Sequence, residues 1–579
     1  MNERVAARPS DTAVTMPDQR LRIGLLVDTL RLPAWIRQVI ADIEASSYAR
    51  IVLVVAKAAP TRSPGSLASR IWAHRSRLVY LAYRWADARV FRPSPDAFAT
   101  ADATPLLQHA DTLEARVRET RFCDYLSDDD VARIEEARLD VLLRFGFRIL
   151  KGPILRAAKF GVWSYHHGDN QINRGGPAGF WEVMTDQPTT GSLLQVLNDD
   201  LDNGRVLCRS YATTDRSSVT RNRNNYYWKS AAFVTRTLRD LADGGAAAVE
   251  ESPCACGCRD FRFYSQRLFR KPGNLEALAL VGRYAARRAR EHVRRLHEAD
   301  QWGLAWSLSK AEAPSTTLYR FTEEWPARGW SWADPFPVED ESGFHVFLEV
   351  YDHATRRGTI GVSRLSRDGA FEAPVPVLDA PYHLSYPFVF QWRGQWFLMP
   401  ESATAGRIEV FVARRFPFDW SLEAVQFNPL HAVDSTLVEV EGRWWLFTNQ
   451  WPHPSVRNAD ELYAYYGPTP FGPWTPHRRN PIKSDARSAR GAGRFLWQGR
   501  SLFRPSQDGS RRYGSAIAIN RIDELTPDRF RETTVSRIEP GWRPGLSGTH
   551  TLNVCAGLTM VDFRHGRAKF GRAGRACPT

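Results

Sequence analysis

Two sets of polar residues in this 579-residue chain have types and spacings that suit catalysis. The first lies in GVWSYHHGDNQINRGGPAGFWEV (161–183), where His166, His167, Asp169 and Arg174 interrupt an apolar surround. Leu-Asp-Asn-Gly follows at 201–204, placing Asp202 36 residues beyond His166. A histidine can shuttle a proton near neutral pH, and an acid can orient or charge-stabilise it. The same histidines could instead cap a strand end and satisfy buried carbonyls. The second set is Asp334, Glu401 and Asp434. Brought together, such carboxyls push each other's pKa values apart and so divide acid and base roles.

The first set must be positioned by an α/β unit. LRIGLLVDTL (21–30) and ARIVLVVAK (49–57) are short apolar runs, with PAWIRQVIADIEAS between them at helical spacing. That order predicts strand, helix, strand. A third run, LDVLLRFGFRIL (139–150), has the Val, Leu and Phe content of a strand buried on both faces. Residues 21–240 are therefore expected to form a Rossmann-like α/β domain with a parallel sheet. The basic, aromatic stretch SRIWAHRSRLVYLAYRWADARVF reads as a packed helix with a solvated basic face, or as a segment touching phosphate or a membrane surface. Residues 241–300 change character. DGGAAAVEESP reads as a linker, CACGC carries Cys254, Cys256 and Cys258, and NLEALALVGRYAARRAREHVRRLHE (274–298) reads as a basic amphipathic helix bridging two domains. The three thiols are either free in a loop or shared by a metal, although no fourth ligand is evident.

The second set lies in a repeat. A glycine followed by an apolar strand recurs at Gly343, Gly394, Gly442, Gly499 and Gly557, at intervals of 51, 48, 57 and 58 residues. Seven to nine residues before most of these glycines stands a polar or turn-forming residue: Asp334, Pro387, Asp434 and His550, with Gly493 the nearest counterpart in the fourth unit. Five such units over 301–570 predict an all-β five-bladed propeller, with a sandwich of irregular turns as the alternative. In a propeller the innermost strands start at one end of a central funnel, so these polar residues would converge. Residues 1–20 and 571–579 read as tails, the first disordered.

With 43% hydrophobic and 25% charged residues the chain suits globular domains, and its length calls for more than one. A formal net charge of +14 favours anionic partners, including peripheral contact with an anionic membrane. The basic residues are spread through the chain and form no recognised nucleic-acid motif, so nucleic acid is not expected. Seven cysteines do not make a secreted disulfide framework, and neither a signal-peptide core nor a membrane-length apolar run is present. The expected location is the cytoplasm.

The succession LDVLLRFGFRIL, GVWSYHH, Arg174-Gly175 and PTTGSLLQVLNDDLDNGRVL resembles the N10-formyltetrahydrofolate-dependent formyltransferases, a family that includes methionyl-tRNA formyltransferase and sugar N-formyltransferases. The resemblance covers about 21–210. It implies that His166 and Asp202 are that family's catalytic histidine and aspartate, that Arg174 contacts substrate, and that N10-formyltetrahydrofolate is the donor. Ser164 stands where the family has asparagine, and GDNQIN replaces its Ser-Leu-Leu-Pro segment. Losing an oxyanion donor costs roughly 3–4 kcal/mol.

WADPFPVEDESGFHVFLE, YHLSYPFVFQWRGQWFLMPES, VDSTLVEVEGRWWLF and RPSQDGSRRYGSAI resemble the N-terminal domain of plant glucosamine inositolphosphorylceramide transferases, itself similar to arabinanase- and levansucrase-type glycosidase propellers. This resemblance spans about 305–565. It implies Asp334 at the first-blade catalytic position, Asp434 as stabiliser and Glu401 as acid, in the order Asp, Glu, Asp where those glycosidases have Asp, Asp, Glu. His383, Arg504, Gln507, Asp508 and His550 add groups suited to hydroxyls or phosphate. The combined expectation is a transferase of glycan or glycolipid assembly acting on a sugar, nucleotide sugar or glycolipid, its formyltransferase-like domain N-formylating an amino sugar that the propeller binds or transfers. The alternatives are a glycosidase or glycosyltransferase propeller with a degenerate formyltransferase-like domain, and a non-catalytic glycan-binding scaffold.

Overall fold

The computed structural model describes residues 20–569 apart from 59–71, 73, 121, 201–202, 251–263, 310–313, 455 and 457. The N-terminal half is built on a seven-stranded sheet ordered Arg205–Thr213, Thr189–Val196, Val162–His166, Val141–Arg144, Leu21–Val27, Ala49–Lys57, Asp111–Ala115. The last five strands run parallel, as the βα alternation predicts, while the first two add antiparallel to the edge. The sheet is thus mixed rather than wholly parallel. Alternation along Leu21–Val27 sends Leu25 and Val27 to one face, against Trp35, Val39 and Ile43 of helix Ala34–Glu44. Leu26 goes to the other, with Val131 and Ile134 of helix Asp128–Glu136. The run at 139–150 is divided: Val141–Arg144 enters this sheet and Ile149–Leu150 pairs elsewhere.

DGGAAAVE (243–250), read as the start of a linker, is helical. Helix Phe233–Glu250 runs through it, broken only at Gly245 (φ 64°, ψ −161°). Its alanines have high helix propensity, and the left-handed glycine absorbs the kink. Cys254, Cys256 and Cys258 lie outside the described residues, as do the tails 1–19 and 570–579. The basic helix forms over Asn274–His297 and passes directly into strand Glu298–Leu308. No helix among the described residues is long and apolar enough to cross a membrane.

The C-terminal half forms five antiparallel sheets, one per repeat, and is a five-bladed propeller. Its first three blades start with strands Trp330–Asp340, Ser385–Trp392 and Ala432–Val440. The fourth begins at Leu496–Gln498. The fifth is composite: Leu552–Cys555 and Leu558–Ala568 come from the C-terminal end, and Glu298–Leu308 and Thr322–Glu324 from the start of the propeller. The eleven-residue pairing of Glu298–Leu308 with Leu558–Ala568 shuts the ring.

The repeated glycines mark the turn between the first two strands of each blade. Arg393-Gly394, Glu441-Gly442 and Ala556-Gly557 all have positive φ at both positions, the two-residue hairpin geometry whose twist matches that of the strands. Eight or nine residues upstream the first three blades share a second irregularity. Their pairing skips two residues of the innermost strand, Asp334-Pro335, Tyr386-Pro387 and Asp434-Ser435. In each bulge the leading residue is left-handed, with φ of 51°, 45° and 52°. The counterpart of the two aspartates in the second blade is therefore Tyr386, not Pro387.

The two halves are bound by buried charges. Lys229 reaches Asp460 at 2.7 Å, and Arg236 makes a two-pronged pair with Glu461 at 3.1 and 3.0 Å. Around them, Trp228 stacks on His453 with centroids 4.2 Å apart, and the Tyr211 carbonyl accepts from the Ala486 N–H at 2.9 Å.

Candidate functional site

The bulges position the propeller site. Each turns its leading side chain toward the axis, while the residue opposite, on the second strand, contributes another polar group. These partners are Glu349, Glu401 and Asn449, paired with Ala333, Ser385 and Val433. In the composite blade Asp562 takes that place, its N–H donating to the Thr551 carbonyl. Asp334, Asp434, Asp562 and His550 are buried, whereas the side chains of Glu349 and Glu401 keep 13% and 14% of their surface exposed. The glutamates are the carboxyls a ligand could reach, and the aspartates lie beneath them.

Two networks hold the aspartates. Asp334 accepts from the Thr551 hydroxyl at 2.5 Å and the Tyr386 N–H at 3.1 Å. His550 Nδ1 is 3.8 Å from Asp334 and pairs closely with Asp562, whose Oδ1 also accepts from the His550 and Thr551 N–H groups at 2.7 and 3.1 Å. Burial pulls the His550 imidazole down, but Asp562 and Asp334 outweigh it and hold it above its ordinary value. Burial in turn pushes Asp334 up, against the pull of His550. These three residues bring possible metal-ligand atoms within 4.8 Å of one another; the imidazole already bridges the carboxylates. Trp302 stacks flat on His550, centroids 4.1 Å apart.

On the other side, Arg490 Nε donates to Asp434 Oδ2 at 2.6 Å, and Gln507 Nε2 donates to the same oxygen at 3.2 Å. Glu401 lies 3.8 Å from the Arg490 guanidinium. Burial and then the neighbouring Asp434 push the Glu401 carboxyl up to about 8, with Arg490 opposing. Glu349 is pushed well above its usual range by burial and by Asp334 and Glu401. At neutral pH Glu401 is a neutral acid beside Asp434, whose Oδ2 is held by Arg490 and Gln507.

Of the expected site residues, Asp334, Asp434, Glu401, Gln507 and His550 meet in this funnel, and His383 stands at its edge, 3.6 Å from Glu349. Arg504 and Asp508 do not join them. The Arg504 guanidinium is consumed by Glu532 at 2.7 Å and by the Ser488 and Ala489 carbonyls, and Asp508 pairs with Arg537. Sequence reasoning missed Glu349, Asp562, Arg490 and Tyr513. The signal for Glu349 was its place 15 residues after Asp334, the interval that also separates Tyr386 from Glu401.

The N-terminal candidates divide by strand alternation. Ser164 and His166 share one face of Val162–His166. His167 turns the other way and stacks on Tyr227 with centroids 3.6 Å apart, both ring nitrogens buried and unpartnered, and burial holds it well below its ordinary pKa. It is an aromatic core residue. His166 Nε2 lies 3.3 Å from the Asn173 carbonyl oxygen. Asn173 donates to buried Glu182 at 3.3 Å, and burial pushes that carboxyl up to about 7. Arg174 packs over Tyr264 and donates to the Asn170 carbonyl at 2.9 Å; Asp202 lies outside the described residues. Ser164 Oγ accepts from Arg144 at 2.9 Å and donates to the Tyr165 carbonyl at 3.3 Å. Its one proton is directed into the backbone, so the hydroxyl does not replace the amide donor of the formyltransferase motif. Of that motif, the described residues keep the histidine at His166 and lack the amide at Ser164.

Residues 319–540 match the family model described as glucosamine inositolphosphorylceramide transferase 1, N-terminal. A rice (Oryza sativa subsp. japonica) protein of the name glucosamine inositolphosphorylceramide transferase 1 is 37% identical over 209 residues, 35% of this chain and 28% of the relative. A methionyl-tRNA formyltransferase of Chlorobium chlorochromatii is 26% identical over 162 residues, 28% of this chain and 51% of the relative. Among solved structures, a thermostable family-43 glycoside hydrolase aligns with a TM-score of 0.31 at 15% identity, over 42% of this chain and 97% of that one. The chain thus spans about 28% of the length of the plant relative it matches, and the resemblance to each group is confined to one half of the molecule.

Proposed function

We propose that this chain is a transferase of glycan or glycolipid assembly, and that the propeller funnel is where a glycosyl bond is handled. One observation carries the reading: Glu401, open to the funnel and neutral up to about pH 8, sits beside Asp434, which Arg490 keeps paired. In such an arrangement Glu401 donates a proton to the departing oxygen of a sugar. Asp434 and Asp334 supply negative charge beneath the ring as positive charge develops on it. His550, held above its ordinary pKa, keeps Asp334 from being an isolated buried charge. The plant relative's name supports a sugar transferred to a glycolipid, and the matched segment is that family's N-terminal part.

The experiment is turnover of the full chain against p-nitrophenyl glycosides and UDP- and GDP-linked sugars, comparing wild type with Glu401→Gln. The expected result is loss of turnover by two or more orders of magnitude with sugar binding retained. Equal turnover in the variant removes Glu401 from the chemistry; binding without turnover in either protein makes the funnel a glycan-binding scaffold. Formyl transfer to an amino sugar enters this reading with no assigned step, because Ser164 and Arg144 occupy each other. The N-terminal half instead serves as a wall of the substrate space through Tyr211, whose ring lies 3.9 Å from Arg487 on the same loop as Arg490.

A further inference from the structure

An opening lies beside the funnel. A cavity of about 440 Å³ is lined by six arginines from three parts of the chain: Arg216 and Arg221 at the start of helix Val219–Ser230, Arg288 and Arg295 from the basic helix, and Arg511 and Arg512 from a loop of the fourth blade. Among the described residues Asp215 is the one carboxylate in the lining, and Arg221 is paired with it at 3.0 Å. Arg216 pairs with Asp186 at 3.3 Å and Arg295 with Glu291 at 2.9 Å, both outside the cavity wall. Among the described residues, Arg288 and Arg511 make no ion pair, and Arg512 spends one N–H on the Ser547 carbonyl at 2.6 Å. Burial holds Arg216 and Arg512 below their ordinary values, and neighbouring arginines add to the effect in both. Like charges crowded in a partly buried space attract a counter-anion, and a planar guanidinium matches phosphate oxygens two at a time.

Tyr513 connects this cavity to the funnel. It lines the cavity while its ring lies 4.9 Å from the Arg490 guanidinium and 5.1 Å from the His550 ring. We propose that the cavity binds the phosphate or diphosphate group of the substrate, so that a sugar attached to it extends past Tyr513 toward Glu401. The location of the sugar rests on the funnel reading above; the anion site does not. It gives the basic helix a role that its sequence alone leaves open, since Arg288 and Arg295 are two turns apart on one face.

The test is calorimetric titration of the full chain with sodium pyrophosphate, beside flotation with vesicles containing phosphatidylinositol. Arg288→Gln/Arg511→Gln removes two cations that hold no carboxylate, and Arg511→Glu, at an exposed position, is the second variant should the first fold poorly. Pyrophosphate binding in wild type, at least tenfold weaker in the variants and weakened by added salt, supports the site with a soluble phosphorylated ligand. Binding only to the vesicles, lost in the same variants, supports it with a lipid-borne phosphate. No binding of either probe, or binding unchanged in both variants, overturns it. Asp434→Asn separates the two ideas: it should abolish turnover and leave pyrophosphate affinity within twofold of wild type.

Discussion

Arg490 lies against Asp434, Nε to Oδ2 at 2.6 Å, with the aspartate side chain 3% exposed. Breaking a buried pair by removing one partner leaves the other charged in a low-dielectric site, at about 3–5 kcal/mol. Arg490→Gln is therefore expected to destabilise the protein by about that much, read as a lowered denaturation midpoint. Asp434→Asn keeps a residue type that tolerates left-handed backbone and is expected to cost less than Arg490→Gln. The reverse order of the two variants would show that the pair is not what holds this side of the funnel.

Activity that needs Glu401 protonated is expected to fall as pH rises through about 8. Stability follows the same group: its carboxyl ionises in the unfolded chain near 4.5 but in the folded chain only near 8, so the folded state holds the extra proton between these values. Glu401 therefore makes stability decline as pH rises from about 4.5 to about 8, and Glu401→Gln should remove that part of the decline. Parallel pH profiles of melting temperature in wild type and variant check the sign.

Lys229→Met is expected to lower stability by about 3–5 kcal/mol, because Asp460 across the junction would be left buried without its cation. Asp460 is already pushed up by burial, with Lys229 opposing, so in the variant it should take up a proton at higher pH. Denaturation at pH 5 and pH 8 tests this: the penalty should be smaller at pH 5.

Gly493 is left-handed at φ 124°, and a Cβ there would lie 2.0 Å from the Leu552 carbonyl oxygen. Gly493→Ala must move the fifth blade or the segment leading into the fourth, and a loss of more than about 2 kcal/mol in chemical denaturation is expected. Tyr386→Phe tests the same junction more gently, since the hydroxyl accepts from the Gly493 N–H at 2.9 Å and its loss should cost about 1–3 kcal/mol.

The sequence was legible where one residue decides a local geometry. The hairpin glycines stood out because two-residue turns demand positive φ, and they gave the number of blades and the place of Asp334 and Asp434. It was less legible where geometry depends on pairing. Glu349 enters the funnel through its register with Ala333, which follows from the bulge at Asp334-Pro335 and cannot be counted from hydrophobicity. Arg504 looked free for a ligand because its carboxylate, Glu532, comes 28 residues later on a non-adjacent strand of the same blade. In the N-terminal half the apolar runs gave the parallel strands. The antiparallel edge at Thr189–Val196 and Arg205–Thr213 had no such mark, since RVLCRSYAT packs partly on the second half of the chain, Ser210 on Ser484 and Thr213 on the Gly509 carbonyl. The helix through DGGAAAVE was hidden by its two glycines, which composition reads as a break and the structure uses as a bend.

The seam between Glu298–Leu308 and Leu558–Ala568 also sets an order of events at birth. The sheet at the N-terminal end can assemble once residue 213 has left the ribosome, but the propeller's first strand must wait, with one edge unpaired, for a partner some 250 residues downstream. Until that partner emerges the edge is an adhesive surface, and the loop it closes is among the longest in the molecule. A nascent chain halted near residue 550 should accordingly be captured by chaperones or aggregate, while one released after 568 should not.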